Sequence, residues 1–184
     1  RLPVPGNPRP GHADLAGCQK LGERDPRAVL ERASARETAA RVALGSIARQ
    51  LLESFGIGIF AHVVEMGAHA ARPDAFLAAG SQRDSLRAAS EFYGLDPAVE
   101  ALWREQVDTA KAAGDTLGGI FELRVQGLPP GLGSYHSGPQ RLTSRLGAAL
   151  FSIPAIKGVE VGLGFESARR PGSQVHDAIV PAQP

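Results

Sequence analysis

The sequence predicts an α+β fold, because segments with helical periodicity alternate with segments typical of strands. Residues 57–66 form an almost continuously apolar stretch that indicates a buried strand, whereas residues 119–125 alternate between apolar and polar side chains. Such alternation is typical of antiparallel sheets with one solvated face. We therefore expect helices packed on mainly antiparallel strands rather than a doubly wound parallel sheet.

The composition is that of an ordinary globular protein. The 184 residues are 43% hydrophobic and 21% charged, which excludes a disordered chain. No apolar run approaches the roughly 20 residues that span a bilayer, so no membrane segment is expected. A net charge of +1 without a basic stripe gives no reason to expect a nucleic-acid partner. A single cysteine, Cys18, cannot form an internal disulfide, which suits a reducing cytoplasm.

The N-terminal residues 1–11 are rich in proline and glycine and predict an extended loop that leads to His12. His12 lies between a glycine and an alanine in RPGHAD. A loop histidine can serve in proton transfer or simply be exposed, and both interpretations stay open. Arg9, three residues earlier, would give this histidine an anionic ligand to act on.

A long helix is predicted to begin at about Ala35, because Ser34 and Glu37 have the spacing of a capping box. Gly56 supplies a residue that commonly ends a helix. Apolar residues at three-to-four spacing predict a stripe that faces a core: Ala39, Val42, Ala43, Ile47, Leu51 and Phe55.

Arg32 and Arg36 flank the predicted helix start, where the helix dipole disfavours positive charge. The exposed amides of a helix N-terminus and two guanidinium groups together match a phosphate or carboxylate. An anion site and a solvated arginine pair are both compatible with these residues.

The next segments predict a strand, an excursion and a helix. His62 lies in the apolar strand and is expected to be a hydrogen-bonded core histidine. Residues 67–94 predict an irregular excursion. Asp96 and Pro97 then start a second helix that ends at Gly114. Its predicted buried face comprises Val99, Leu102, Trp103, Val107 and Ala110.

The last third of the chain predicts two further strands and a third helix. Phe121, Leu123 and Val125 should form the buried face of the strand at 119–125. A helix at about residues 141–153 should stop before Pro154, and KGVEVGLGF (157–165) should form a final strand. No histidines and carboxylates have metal-ligand spacing on one helix face, so no metal site is expected.

Five motifs follow one another along the chain: RPGHAD, ERASARETAARVA, GDTLGG, GLPPGLG and SIPAIKGVEVGLGF. In order and spacing they resemble the chorismate synthase family, from about residue 8 to residue 177. The resemblance implies conversion of 5-enolpyruvylshikimate 3-phosphate to chorismate and phosphate, a 1,4-anti elimination that requires reduced FMN but consumes no net electrons. It also implies a homotetramer and an α+β sandwich of helices and mainly antiparallel sheets in two intertwined halves, and the single cysteine adds the expectation of a cytoplasmic location.

The resemblance also implies roles for individual residues. His12 matches a catalytic histidine beside the flavin, and Arg9 with Arg36 match arginines that hold the anionic groups of the substrate. FMN contacts are implied in two segments: Arg32, Ala33 and Ser34, and then Pro154 with Ala155. Ala33, Pro154 and Thr143 depart from residues common in the family, which have serine, a polar side chain and aspartate there.

Family members are roughly twice as long, and residues 1–184 correspond to the central part of their single domain. The N-terminal and C-terminal segments that carry further catalytic groups have no counterpart in these residues. We therefore expect a fragment of a full enzyme that is inactive by itself. The alternative is a non-catalytic remnant that binds only anions or partner subunits.

Overall fold

The computed structural model describes residues 7–180, in which helices combine with a small antiparallel sheet, as the α+β prediction requires. No helix among these residues has the length and apolar character to cross a membrane. The chain divides into two compact units: residues 7–47 with 129–180, and Ala48–Leu128. In chain order the elements are α1 (Asp14–Leu21), α2 (Arg27–Arg32), α3 (Ala35–Ser54), β1 (Gly58–Met66), β2 (His69–Ala70), α4 (Ala75–Ala79), α5 (Arg83–Ala89), α6 (Pro97–Ala113), β3 (Gly119–Gln126) and α7 (Leu142–Phe151).

Helix α3 begins at the predicted residue, but its cap differs from the prediction. The Ser34 hydroxyl accepts a hydrogen bond from the backbone N–H of Arg36 at 3.1 Å, so it caps the helix. The Glu37 carboxylate accepts from Arg41 Nε at 2.8 and 2.9 Å instead of completing a capping box. An ion pair at i,i+4 spacing has therefore replaced half of the predicted motif.

The apolar stripe of α3 was predicted to face a core, and in this chain that prediction is wrong. Val42, Ile47, Leu51 and Phe55 are 60 to 71% exposed. The alanines of the stripe, Ala39 and Ala43, are exposed as well. The periodicity correctly indicates a helix, but no other element of residues 7–180 covers this face.

The unit Ala48–Leu128 is built on a sheet with the strand order β2–β1–β3, and both pairings are antiparallel. Strands β1 and β3 confirm the two strands predicted at 57–66 and 119–125. Their register places His62 opposite Glu122 and Phe60 opposite Arg124. Residues directly opposite each other share a face, so these four side chains lie together.

The buried face of β3 is the opposite of the predicted one. Glu122 and Arg124 are half-buried, whereas Phe121 and Leu123 are 40% and 38% exposed. The reason is Phe76 of α4, whose ring lies 4.4 Å from the Arg124 guanidinium on the polar face. Cation–π contact and hydrogen bonds make this face compatible with burial.

Residues 67–94 are more regular than predicted, since they include β2, α4 and α5. Their core is a cluster of Ala75, Phe76, Ala79 and Leu95, with Phe60 and Leu86 packed against it. Helices of five and seven residues are too short to show a clear 3.6-residue period, so the pattern missed them.

Helix α6 has the predicted ends. Asp96 accepts from the Ala98 N–H at 3.2 Å, and Gly114 has a left-handed φ of 67°. Trp103 is fully buried and donates Nε1–H to the His69 carbonyl at 2.8 Å. Leu102 is 41% exposed, so the buried face is narrower than predicted. A Cβ on Gly94 would lie 2.7 Å from the Trp103 ring, so only glycine fits there.

In the other unit, α7 confirms the predicted third helix, and α1 and α2 are helices that the pattern did not indicate. The final strand predicted at 157–165 is wrong: residues 157–161 have no regular structure, and a 3₁₀-helix spans Gly164–Arg169. Gly162 and Gly164 have φ of 63° and 53°, which an extended strand does not allow. Residues 1–6 of the predicted N-terminal loop and residues 181–184 lie outside the described residues.

Candidate functional site

Arg9 and Asp14 close the turn that carries His12. The Arg9 backbone N–H and Nε both donate to Asp14 Oδ2 at 3.0 Å, and Nη2 donates to Oδ1 at 3.1 Å. Asp14 is the first residue of α1 and is only 2% exposed, whereas the Arg9 side chain is 45% exposed. A guanidinium has five N–H donors, so three of those on Arg9 remain for an anion.

The electrostatics of this pair follow from its hydrogen bonds. Those from Arg9 to the Asp14 carboxylate lower the pKa of Asp14 to about 2. The same contact raises the pKa of Arg9 above its ordinary value. Asp14 is therefore an anion at any physiological pH, and it fixes Arg9 without neutralising the free edge of the guanidinium.

His12 lies at the exposed tip of this turn. Its backbone N–H donates to the Arg9 carbonyl at 3.3 Å, and its Nδ1 lies 3.0 Å from the Pro10 carbonyl oxygen. A carbonyl only accepts, so in neutral His12 this contact selects the tautomer with hydrogen on Nδ1. The other ring nitrogen, Nε2, is then an acceptor that can take up a proton.

Helix packing connects this turn to the segment 32–34. Gly17 of α1 lies against Val29 of α2, where an added Cβ would be 2.5 Å from Val29 Cγ1. Glycine thus allows α1 and α2 to approach closely. Helix α2 ends at Arg32, and Ala33 closes it by donating its N–H to the Val29 carbonyl at 3.0 Å.

Two guanidinium groups at the start of α3, those of Arg32 and Arg36, have few or no hydrogen-bond partners among residues 7–180. Arg32 is exposed and has no hydrogen-bond or ion-pair partner within residues 7–180. Arg36 meets Glu31 at 3.4 Å, but both side chains are largely exposed, at 82% and 61%. A 20-residue helix presents a positive dipole end at this point, while the backbone N–H groups of Arg36 and Glu37 are already bonded to Ser34. The two guanidinium groups can bind a phosphate or carboxylate, and Glu31 offers Arg36 a weak local alternative.

The second segment of interest follows α7. Pro154 and Ala155 are exposed in a turn, and Ala155 has φ of 70°, an uncommon value for a residue with a Cβ. Ser152, two residues before Pro154, accepts a hydrogen bond from Arg41 Nη1 at 2.7 Å. Arg41 of α3 therefore links the first helical turns of α3 to the end of α7.

The structure places all the sequence-predicted site residues in one compact unit, residues 7–47 with 129–180. Within residues 7–180, no hydrogen bond or ion pair joins Arg9 or His12 to the arginines at the start of α3. Sequence reasoning missed Asp14 and Arg41. Asp14 could have been found, because it lies in the RPGHAD motif two residues after His12. The contact between Arg41 and Ser152 joins residues that are 111 apart in the sequence, so no local pattern indicates it.

A second polar cluster lies in the other unit, on the covered face of the sheet. His62 is 3% exposed and its Nε2 lies 3.0 Å from Glu122 Oε2, which confirms a hydrogen-bonded core histidine. Burial raises the pKa of Glu122, but the hydrogen bonds and charges of Arg124 and, to a smaller extent, His62 more than offset this, so the net shift is downward. Among the described residues, no group of three or more His, Cys, Asp or Glu could hold a metal ion.

Comparisons with known proteins identify similar chains. The family model described as "Chorismate synthase" matches residues 3–183. The chorismate synthase of Trichlorobacter lovleyi is 56% identical over 172 residues, which are 94% of this chain and 43% of the relative. The chorismate synthase of Parafrankia sp. is 53% identical over 180 residues, 96% of this chain and 44% of the relative.

A solved structure is also similar to this chain. The protein described as "Crystal Structure of Chorismate Synthase" superposes with a TM-score of 0.82 at 42% sequence identity. The match covers 92% of this chain and 53% of that one. The chain thus spans less than half the length of these curated relatives and about half of the solved structure.

Proposed function

The chain belongs to the chorismate synthase family, and from this premise we propose that the intact protein eliminates phosphate from 5-enolpyruvylshikimate 3-phosphate to give chorismate. In this 1,4-anti elimination the C–O bond to phosphate breaks and a proton leaves from the far end of the reacting system. The observation that carries the proposal is the set of uncommitted arginine donors on a chain that matches the family over nearly its whole length.

The residues of the first unit fit FMN by the chemistry of their donors. Among residues 7–180, Arg32 has no side-chain partner and offers its guanidinium, and the N-terminus of α3 adds the positive end of a helix dipole, so this end suits an anionic group. Ala155, in its left-handed turn, would present its backbone to the ring system. The elimination requires FMN in its reduced form when bound, although the overall reaction consumes no net electrons.

Arg9 and Arg36 would bind the substrate, which carries one phosphate and two carboxylates. Arg9 keeps three N–H donors after Asp14 has taken two, and its orientation is fixed before the substrate arrives. Within residues 7–180, the Arg36 side chain is held only by an exposed contact to Glu31, so an anion can displace that partner at small cost. Arg9, whose orientation is fixed in advance, and Arg36, which can move, would each bind a different anionic group of the substrate.

His12 would handle a proton beside the flavin. Its Nδ1–H is committed to the Pro10 carbonyl, so its Nε2 is the atom that takes up or returns the proton. The hydrogen bonds between Arg9 and Asp14 limit the movement of the turn, so Nε2 of His12 keeps its position.

We further propose that residues 1–184 form the central part of a single domain of a longer protein, assembled as a homotetramer in the cytoplasm. The relatives are more than twice as long as the matched stretch, which supports the first point. The free thiol of Cys18 supports a reducing compartment. We propose a small-molecule substrate and no nucleic-acid or membrane partner.

The experiment that tests the proposal supplies the intact protein with dithionite-reduced FMN and 5-enolpyruvylshikimate 3-phosphate. Chorismate is followed by its absorbance, and phosphate release is measured separately. The proposal predicts equal amounts of the two products. A folded, flavin-loaded protein that forms no chorismate would instead be a remnant that binds anions or subunits only.

A further inference from the structure

We propose that Arg41 is a positioning residue for the flavin: it holds the segment Pro154–Ala155 at a fixed distance from the segment 32–34. This inference rests on the proposed function, since both segments are proposed FMN contacts. Arg41 itself would not touch the cofactor. It would act through Ser152, with which it makes the hydrogen bond between α3 and the end of α7.

The position of Arg41 on α3 suits this role. Ser34, Glu37 and Arg41 are spaced by three and four residues, so they share one face of the helix. Arg41 lies seven residues after Ser34, about 10 Å along the helix axis. Two contacts of Arg41 Nε with Glu37 fix the guanidinium on this face. Its Nη1 is thereby directed to Ser152.

The Ser152 side is also fixed. Its hydroxyl accepts from Arg41 at 2.7 Å and donates to the Ala149 carbonyl at 2.6 Å. Its backbone N–H donates to the carbonyls of Ala148 and Ala149. Ser152 therefore terminates α7 and receives Arg41 at the same time. Two residues later the chain turns at Pro154, and Ala155 adopts its left-handed conformation.

The consequence is specific to cofactor binding. Without the contact, both segments keep every group proposed to touch FMN, but the distance between them is no longer held. FMN must then fix that distance on binding, which weakens its affinity through lost preorganisation. The substrate contacts of Arg9 and Arg36 do not pass through Ser152, so substrate affinity should stay unchanged.

The test measures FMN binding to the intact protein by flavin fluorescence, before any turnover. Ser152→Ala removes the contact with Arg41 together with the hydroxyl's own hydrogen bond to the Ala149 carbonyl, whereas Arg41→Gln removes the contacts of the guanidinium with Glu37 and Ser152 and leaves the end of α7 intact. Each should raise the FMN Kd about 3- to 10-fold, the range of an ordinary hydrogen bond, because solvent at this exposed site screens the charge of Arg41. Arg41→Lys should recover part of the affinity, because lysine keeps the charge but cannot bind Glu37 and Ser152 in the same geometry.

Arg49→Gln is the matched control. Arg49 also lies on α3 and makes an i,i+4 ion pair at 2.8 Å, with Glu53, but it belongs to the stretch of α3 beyond Ile47. It should leave the FMN Kd unchanged, although it too removes an i,i+4 ion pair from α3. The double variant Arg41→Gln with Ser152→Ala should bind FMN no worse than Arg41→Gln alone.

Failure of the inference differs from failure of the proposed function. If the unsubstituted protein does not bind FMN, both are wrong. If it binds FMN and Ser152→Ala binds equally well, only the positioning role is overturned. A parallel rise in the KM for substrate would also contradict it, since a general loss of structure would then explain the weaker FMN binding.

Discussion

Replacing Arg36 by alanine separates a substrate-binding role from a structural one. In the free protein, Arg36 meets Glu31 at 3.4 Å, and the two side chains are 82% and 61% exposed. Ion pairs this exposed contribute about 0 to 1 kcal/mol to stability. The Ser34 cap uses the backbone of residue 36 and survives the substitution. We therefore expect the free energy of unfolding to change by less than about 1 kcal/mol.

The effect on substrate binding should be far larger. Removing one partner of an ion pair that becomes buried costs about 3 to 5 kcal/mol, or roughly two to three and a half orders of magnitude in Kd. Arg36→Lys should recover only part of this loss, because an ammonium group cannot bind an oxyanion through two parallel hydrogen bonds. Isothermal titration with 5-enolpyruvylshikimate 3-phosphate, in the presence of oxidised FMN to prevent turnover, measures both variants.

Arg49→Ala provides the comparison on the same helix. Arg49 pairs with Glu53 at 2.8 Å, and both are about half exposed, so its removal should affect neither stability nor substrate affinity strongly. If Arg36→Ala binds the substrate as the unsubstituted protein does, the anion-binding role of the α3 N-terminus is wrong. The solvated arginine pair would then be the correct interpretation of these residues.

Three further predictions concern the His12 turn and its support. His12→Ala in the intact protein should lower kcat by about 10² to 10⁴ while substrate still binds; steady-state kinetics with unchanged kcat would contradict the proton-transfer role. The Asp14 carboxyl, followed by ¹³C NMR, should titrate at about pH 2, and its pKa should rise in Arg9→Gln without reaching its ordinary value, because the backbone N–H of residue 9 still donates to it. Because the pKa of Asp14 is lowered in the folded state, the stability that this carboxylate contributes is complete above about pH 4 and is lost as the pH falls toward 2. An unperturbed pKa of Asp14 would contradict the hydrogen bonds between Arg9 and Asp14. Gly17→Ala should destabilise the protein by about 1 kcal/mol in denaturant titrations, because overpacking against Val29 exceeds the gain in helix propensity. Adding Val29→Ala should remove the clash but leave the cost of the lost valine, so the two effects should be markedly non-additive.

Local rules explain which elements the sequence could predict. The ends of α6 follow from Asp96, Pro97 and Gly114, whose capping and conformational preferences act over a few residues. The start of α3 follows from Ser34 in the same way. Strand β1 is apolar enough to be recognised without its neighbours. Each of these signals is complete within a short window of sequence.

The sequence-based predictions are wrong where contacts with a second helix or strand decide which face is buried or whether a strand forms. The polar face of β3 is buried because Phe76, 48 residues earlier, packs against Arg124, and no alternation within β3 reveals this. The residues 157–161 alternate as a strand would, but a strand needs a neighbour for its backbone hydrogen bonds. Burial of a face and pairing of a strand depend on tertiary contacts. The periodicity of a segment alone predicts only whether that segment is a helix or a strand.

The candidate site shows the same division. His12, Arg9 and the arginines at the start of α3 could be selected from loop position, charge and helix geometry. Their assignment to substrate or flavin came from family resemblance and stays a prediction. The supporting contacts of Asp14 and Arg41 became visible only in the structure, because each depends on a distance between side chains.

The most direct test of the central claim counts product per flavin in an anaerobic assay of the intact protein. Reduced FMN is supplied at a small fraction of the 5-enolpyruvylshikimate 3-phosphate, and chorismate, phosphate and flavin absorbance are recorded together. We predict many chorismate molecules per FMN, one phosphate for each, and a flavin that is still reduced at the end. Oxidation of one flavin for each product, or no chorismate from a protein that binds FMN, would contradict the account.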